Sequence, residues 1–279
     1  MACADRGLSG SNRGCQAAAR LSVLESRHAR VARCPRRELR DVLRGSIGVD
    51  ASSSTNATEI QAGLAHAQAR AAALFYDIER SGLIRAGESE SAVSDAIFQL
   101  GAERFGTRKH WHRRVVRAGP NTRLPFSALP PDRVIGDDDI VSIDLGPVFD
   151  NYEADFGRTY VVGRSAGKLR LRDDLQVIFK ICRDAYRARP SMTGAVLYAL
   201  VVDTCAGRGW GFGGAHAGHV VGGFPLVREE RDASRNRIRP DNHVPLDAPD
   251  LAGHSRHFIL EVHLLNPTGA FGGFYEDTL

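Results

Sequence analysis

The sequence predicts an α+β domain with helices on one side of antiparallel hairpins, and three observations carry that expectation. From Thr58 apolar residues recur at three- and four-residue steps. Two pairs of strand-like segments, near 140–162 and 258–278, are each joined through a turn. Two further helical segments separate those pairs.

Ile60, Leu64, Ala67, Ala71, Leu74 and Ile78 make one apolar stripe, ended by Ser81-Gly82. A second helix is predicted from Glu88 to about Phe105, with Ser89 or Ser91 near its cap and Val93, Ile97 and Leu100 inward. Residues 113–118 read as a strand closed by the turn Gly119-Pro120-Asn121. Strands follow at Ile140 to Leu145 and Ala154 to Val162, then a helix from Asp173 to about Ala188, stopped by Pro190. Thr193 can cap another helix from Gly194 to about Ala206. A glycine-rich stretch, Gly207 to Gly223, leads into a polar, loop-like segment from Arg228 to His254. The last strands are expected at Phe258 to Leu264 and Phe274 to Thr278.

With 279 residues, 43% of them hydrophobic, the chain can bury a sizeable core without staples. Its five cysteines show no C-x-x-C spacing, which excludes a zinc finger or a disulfide framework and points to a reducing, cytoplasmic setting. The net charge of +4 is concentrated at one end. Residues 1–50 hold ten arginines against five acids, whereas residues 51–279 hold 27 bases against 28 acids. A neutral body offers no footprint for nucleic acid, and no apolar run approaches the ~20 residues that span a bilayer. The expected organisation is an Arg-rich, disordered leader over residues 1–50 and one domain over 51–279. A transit peptide and a start codon placed too far upstream are alternative readings of the leader.

The acids carry the functional signal. If the first hairpin turns between Phe149 and Asp150, Asp144 and Asp155 are directly opposed, with Cβ atoms roughly 4.5–5.5 Å apart. Glu261 and Glu276 flank a turn centred near Thr268 and Gly269 in the same way, and His219 lies in the glycine-rich segment between the pairs. Four carboxylates and an imidazole suit two metal ions about 3.5–4 Å apart. A hairpin acid taken alone is more often a solvated surface charge. Against that, Asp144 and Glu261 each stand in an apolar run where an unpaired carboxylate is costly. Oxygen-dominated ligation favours Mn, Fe or Co, with Zn compatible.

Six segments together resemble a known family: Val-Arg-Ala-Gly-Pro-Asn-Thr at 116–122, Asp-Ile-Val-Ser-Ile-Asp-Leu-Gly at 139–146, Ala-Asp-Phe-Gly-Arg-Thr at 154–159, Gly-His-Val-Val-Gly at 218–222, Ile-Leu-Glu-Val at 259–262 and Tyr-Glu-Asp at 275–277. In order and approximate spacing they are similar to the M24 metallopeptidases, the family of methionine aminopeptidase, prolidase and Xaa-Pro aminopeptidase, over roughly residues 56–279. The resemblance implies the creatinase-like pita-bread fold, two similar halves forming a curved antiparallel sheet backed by helices. It implies two divalent metal ions, manganese favoured, with Asp144 on one ion, Asp155 and Glu276 bridging both, and His219 and Glu261 on the other. It further implies cleavage of the N-terminal peptide bond of small peptides by a metal-bridging hydroxide whose proton Glu261 handles. The expected partner is a small peptide substrate, with neither nucleic acid nor membrane and with a homodimer left open.

Two residues depart from the family pattern. The family's histidine seven residues after the ligand histidine is Leu226 here, and a histidine following the Gly-Pro-Asn turn is replaced by Phe126. The rival expectations are therefore a family member that keeps its metals but hydrolyses another amide, and a non-catalytic peptide- or partner-binding protein. His263, two residues after Glu261 on one strand face, and His216, three before His219, are candidates to supply the missing donor, alongside Glu261 as catalytic residues. His110 and His112 bracket Trp111 and either line the cleft or form a surface aromatic cluster.

Overall fold

The computed structural model describes residues 51–279; the leader expected over residues 1–50 lies outside the described residues. Helix α1 (Ala51–Arg80) buries Leu64, Ala67, Ala71, Leu74 and Ile78, the face that the apolar spacing predicts. Helix α2 (Glu90–Phe105) starts at Ser89, whose hydroxyl accepts from the Ala92 amide, and ends at Gly106 in the left-handed conformation. Then come β1 (Val115–Ala118), a 3₁₀ turn at Gly119–Arg123, β2 (Ile140–Leu145), β3 (Val148–Phe149), β4 (Tyr152–Glu153) and β5 (Phe156–Val161).

Helix α3 (Ala166–Ala188) begins at Ala166 rather than Asp173, because the charged run around Leu169 and Leu171 obscures a face that buries Leu171, Leu175, Ile178, Phe179 and Cys182. Thr193 caps α4 (Gly194–Gly207) by accepting from the Val196 amide. The glycine-rich stretch contributes β6 (Gly211–Phe212) and β7 (Val220–Val221), and the polar stretch holds the short helix α5 (Arg228–Asp232). Strands β8 (His257–Leu265) and β9 (Gly272–Thr278) complete the fold.

Among the described residues, seven strands form one antiparallel sheet in the order β1-β2-β5-β9-β8-β6, with β7 on β8. Two apolar cores divide it into halves. Ala71, Leu74 and Ile97 from α1 and α2 pack on Val141, Ile143 and Leu145. Leu175, Ile178, Leu197 and Val201 from α3 and α4 pack on Leu260, Val262 and Leu264.

The first hairpin corrects the expected register. Its turn is Asp150-Asn151, both left-handed at φ 50° and 64°, so Asp144 pairs with Gly157 and not with Asp155. Such a two-residue turn matches strand twist, and Asp and Asn tolerate the left-handed region better than most residues. Since side chains alternate with period two, Asp155 keeps the face of Gly157, but it sits in the link between β4 and β5 rather than in the ladder. In the second hairpin Glu261 faces Glu276 as expected. Glu276 also pairs with Gly157, so Asp144, Gly157, Glu276 and Glu261 form one lateral row across β2, β5, β9 and β8.

Gly157 is required in that row. A Cβ there would lie 2.5 Å from the Phe274 ring and 3.2 Å from Glu276 Cβ. Gly157→Ala should destabilise the protein by about 1–3 kcal/mol, the usual cost of overpacking. Denaturant unfolding measures this, and an unchanged midpoint would show that the row tolerates a side chain.

Candidate metal centre

The acidic row ends in side chains that share one cleft with Asp155 and His219. Asp155 is held by its main chain: buried Gln68 on α1 donates to its carbonyl (2.9 Å) and accepts from its amide (3.3 Å). Trp111 Nε1 donates to the neighbouring Ala154 carbonyl at 2.9 Å. These bonds leave the Asp155 carboxylate to the cleft. Oxygen or nitrogen atoms of Asp155, His219 and Glu276 lie within 4.8 Å of one another, and a second group, His112, Asp144 and Asp155, is equally close. His219 Nε2 lies 3.4 Å from Asp155 Oδ2 and 3.8 Å from Glu261 Oε1. Its Nδ1 donates to the Val220 carbonyl at 2.8 Å, which leaves Nε2 free to ligate.

The acids do not share one electrostatic state. Burial first, then the charges of Asp155, Asp144 and Glu261, pushes the Glu276 carboxyl well above the usual range. Asp144 is pushed up to about 7 by burial, with Asp155 and Glu261 adding to the rise and His112 and Arg117 opposing it. Burial would raise Glu261 too, but His216, His219 and Arg237 outweigh it and hold this carboxyl below its ordinary value. Burial opposes the charged form of His112, yet Asp144 and Asp155 raise it to about 9. In His219 burial wins and favours the neutral ring.

The donor set fits divalent cations. Among the described residues it is oxygen-rich with imidazole nitrogen and no thiolate, since Cys182 and Cys205 are buried in the core of the second half. Glu276 Oε2 is buried with no hydrogen-bond partner among the described residues. Four acids converging on one partly buried cleft are the arrangement that a divalent ion relieves.

Of the remaining residues singled out from sequence, Phe126 and Leu226 both line the cleft. Phe126 stands edge-on to His112 at 5.5 Å between ring centroids. His216 Nδ1 lies 3.4 Å from Glu261 Oε1, and Glu261 raises its pKa. His263 also lines the cleft, but its Nε2 donates to the Thr122 carbonyl at 3.0 Å, and burial lowers its pKa. Of the two readings of Lys-His-Trp-His-Arg, Trp111 and His112 take the cleft, while His110 bridges to Pro147 and stacks near Phe98. The sequence assigns no role to Gln68 and offers His112 only as a cleft-lining residue, without linking it to the acids. Gln68 interrupts the apolar face of its helix, a weak sign of a buried polar duty, and His112 carried no spacing signal toward the acids.

The sequence model of metallopeptidase family M24 matches residues 62–279. An uncharacterized peptidase, YqhT, of Bacillus subtilis (strain 168) is 29% identical over 146 residues, which cover 50% of this chain and 39% of that protein. Among solved structures, the X-Pro aminopeptidase from Thermotoga maritima MSB8 superposes with a TM-score of 0.63 at 20% identity, covering 82% of this chain and 61% of that one. A recombinant prolidase from Thermococcus sibiricus gives 0.62 at 22% identity, covering 79% and 56%. The dipeptidase PepE from Mycobacterium ulcerans gives 0.61 at 24% identity, covering 85% and 58%. The fold is therefore the pita-bread fold expected from the sequence, and the chain spans less than two thirds of each of these relatives.

The charge distribution fixes a pH dependence for the metal-free protein. His112, with its pKa raised from 6.5 to about 9, adds stability that is complete below 6.5 and lost as pH rises through about 9. His216 is shifted in the same direction. In excess chelator the melting temperature should fall between pH 7 and pH 9, and saturating Mn²⁺ should remove that fall. A melting temperature that holds or rises over this interval in chelator contradicts the assigned charges.

Proposed function

The chain belongs to metallopeptidase family M24, and from that premise we propose that it is a dinuclear metal-dependent hydrolase removing N-terminal residues from small peptides, in the manner of an Xaa-Pro aminopeptidase or dipeptidase. The observation that carries the reading is the convergence of Asp144, Asp155, His219, Glu261 and Glu276 on one cleft, from strands of both halves and the loop between them. We assign these five as ligands, with manganese favoured by the oxygen-rich set. Bound divalent ions supply a water of lowered pKa and polarise the scissile carbonyl.

The cleft, about 810 Å³ in volume, suits a di- or tripeptide rather than a folded chain. Arg113, Arg117, Arg228, Arg231 and Arg237 line it and favour a substrate with a free carboxylate. Glu261, held ionised by His216, His219 and Arg237, is the group suited to accept a proton during attack. His216, beside Glu261 and raised by it, is the better placed of the two candidate histidines to donate toward developing charge. His263, tied to Thr122, orients the cleft wall instead.

The side chains of Phe126 and Leu226 carry no hydrogen-bond donor, which favours slow turnover. A preorganised donor to an oxyanion is commonly worth 10² to 10³ in rate. The rivals, hydrolysis of another amide and non-catalytic binding, differ from this reading in one test, release of the first residue from Xaa-Pro peptides.

Elemental analysis should find up to two divalent ions per chain, and Asp155→Asn and Glu276→Gln should each lose both. Two retained ions in Asp155→Asn would remove the bridging assignment. Manganese-loaded protein should release the first residue from Xaa-Pro dipeptides, and chelation should abolish the activity. Leu226→His should raise kcat at least about tenfold if a missing donor limits the rate; an unchanged kcat would place the limit elsewhere.

A further inference from the structure

His112 matches His219 in the hydrogen-bond geometry that makes His219 suited to ligate. The His219 ring donates Nδ1–H to the carbonyl of the next residue, Val220, at 2.8 Å and presents Nε2 to Asp155 Oδ2 at 3.4 Å. The His112 ring donates Nδ1–H to the carbonyl of its own next residue, Arg113, at 2.6 Å and presents Nε2 to the other Asp155 oxygen, Oδ1, at 3.2 Å. An Nδ1–H bonded to a main-chain carbonyl is the usual support of a ligating imidazole, because it fixes the tautomer with Nε2 unprotonated.

The remaining geometry agrees. His112 Nε2 also lies 3.5 Å from Asp144 Oδ1. Adjacent donors around one ion with bonds of 2.0–2.2 Å are roughly 2.9–3.5 Å apart in octahedral or tetrahedral geometry. The two separations from His112 fall in that range. The ring is nine-tenths buried, with Trp111 edge-on at 4.3 Å and Phe126 at 5.5 Å. A Cβ at Gly146 would lie 2.5 Å from His112 Nε2, so the glycine that ends Ile-Asp-Leu-Gly makes room for this imidazole beside Asp144.

We propose that His112 is a metal ligand on the Asp144 side of the centre, so that Asp155 bridges two ions each of which carries one imidazole. This inference rests on the dinuclear reading above and deepens it. The centre becomes a balanced pair of mixed nitrogen-oxygen sites rather than one such site beside an all-carboxylate one. The added nitrogen shifts the second site away from Mg²⁺ and Ca²⁺, which prefer oxygen, toward Mn²⁺, Fe²⁺, Co²⁺ and Zn²⁺.

The test titrates the metal-free full chain with Mn²⁺ and Co²⁺ and follows stoichiometry, affinity and the X-ray absorption signature of imidazole. His112→Gln and His112→Ala should keep the first ion and bind the second at least about tenfold more weakly, as losing a ligand costs no less than losing a ligand's support. Free imidazole should restore the second ion to His112→Ala. At cobalt concentrations that fill both sites of His112→Gln, imidazole per metal should fall from the wild-type value of about one to about one half. His112→Gln that binds both ions with unchanged affinity, while Asp144→Asn loses the second, overturns the role of His112 and leaves the dinuclear reading intact. Uptake of no second ion by the wild-type protein overturns both. Chelated His112→Gln with a wild-type far-ultraviolet spectrum establishes that a lost ion reflects ligation rather than misfolding.

Discussion

Everything around the cleft answers to one constraint, the confinement of like charges by a backbone ladder. Asp144, Glu276 and Glu261 are fixed in one lateral row by hydrogen bonds between strands, and Gly157 leaves the room in that row that Phe274 and Glu276 occupy. The acids cannot separate without breaking sheet pairing, nor turn to water from a buried floor. Their repulsion is relieved by protons, by histidines or by metal ions. Gln68 binds the main chain of Asp155 and Trp111 that of Ala154, neither touching the Asp155 carboxylate, so that carboxylate stays available to whichever cation arrives.

Within that confinement the surroundings sort chemically similar groups into different tasks. Glu261 and Glu276 face each other across one ladder, yet His216, His219 and Arg237 hold the first below its ordinary pKa while burial and the other acids push the second above it. One carboxylate is ready to receive a proton and the other to exchange a proton for a metal. Arg231 pairs with buried Glu153 at 2.6 Å and lies over the Trp111 ring at 3.8 Å, so the polar segment that carries it is fastened to the aromatic side of the site.

Where local chemistry decides structure, the sequence is legible. The α1 stripe, the Ser89 and Thr193 caps and the second hairpin follow from residue spacing and hydrogen-bonding groups, and the observed elements agree. The first hairpin was harder, because Phe149-Asp150 and Asp150-Asn151 are adjacent candidates for one turn and only the left-handed conformations of Asp150 and Asn151 decide between them. The error displaced Asp155 along its strand without moving it off its face, since pleating repeats every two residues. The approach of His112 to Asp155 is illegible for a different reason. The ring comes near because the segment before β1 folds across Gly146, and no periodicity in the sequence encodes that contact.

The sheet order has a kinetic consequence. Strand β9, last in sequence, lies at the centre between β5 and β8. The first half can assemble around α1, α2 and the β2–β5 hairpin, and the second around α3, α4 and the β8–β9 hairpin, each from contacts closer in sequence than those that join them. The Gly157–Glu276 pairing closes a long loop, so its entropy cost falls on the joining step, and that step should limit folding. Because the acids come from both halves, a divalent ion recognises the joined form and holds it by mass action. Metal uptake during refolding therefore serves as a clock for the last event, the closing of the seam.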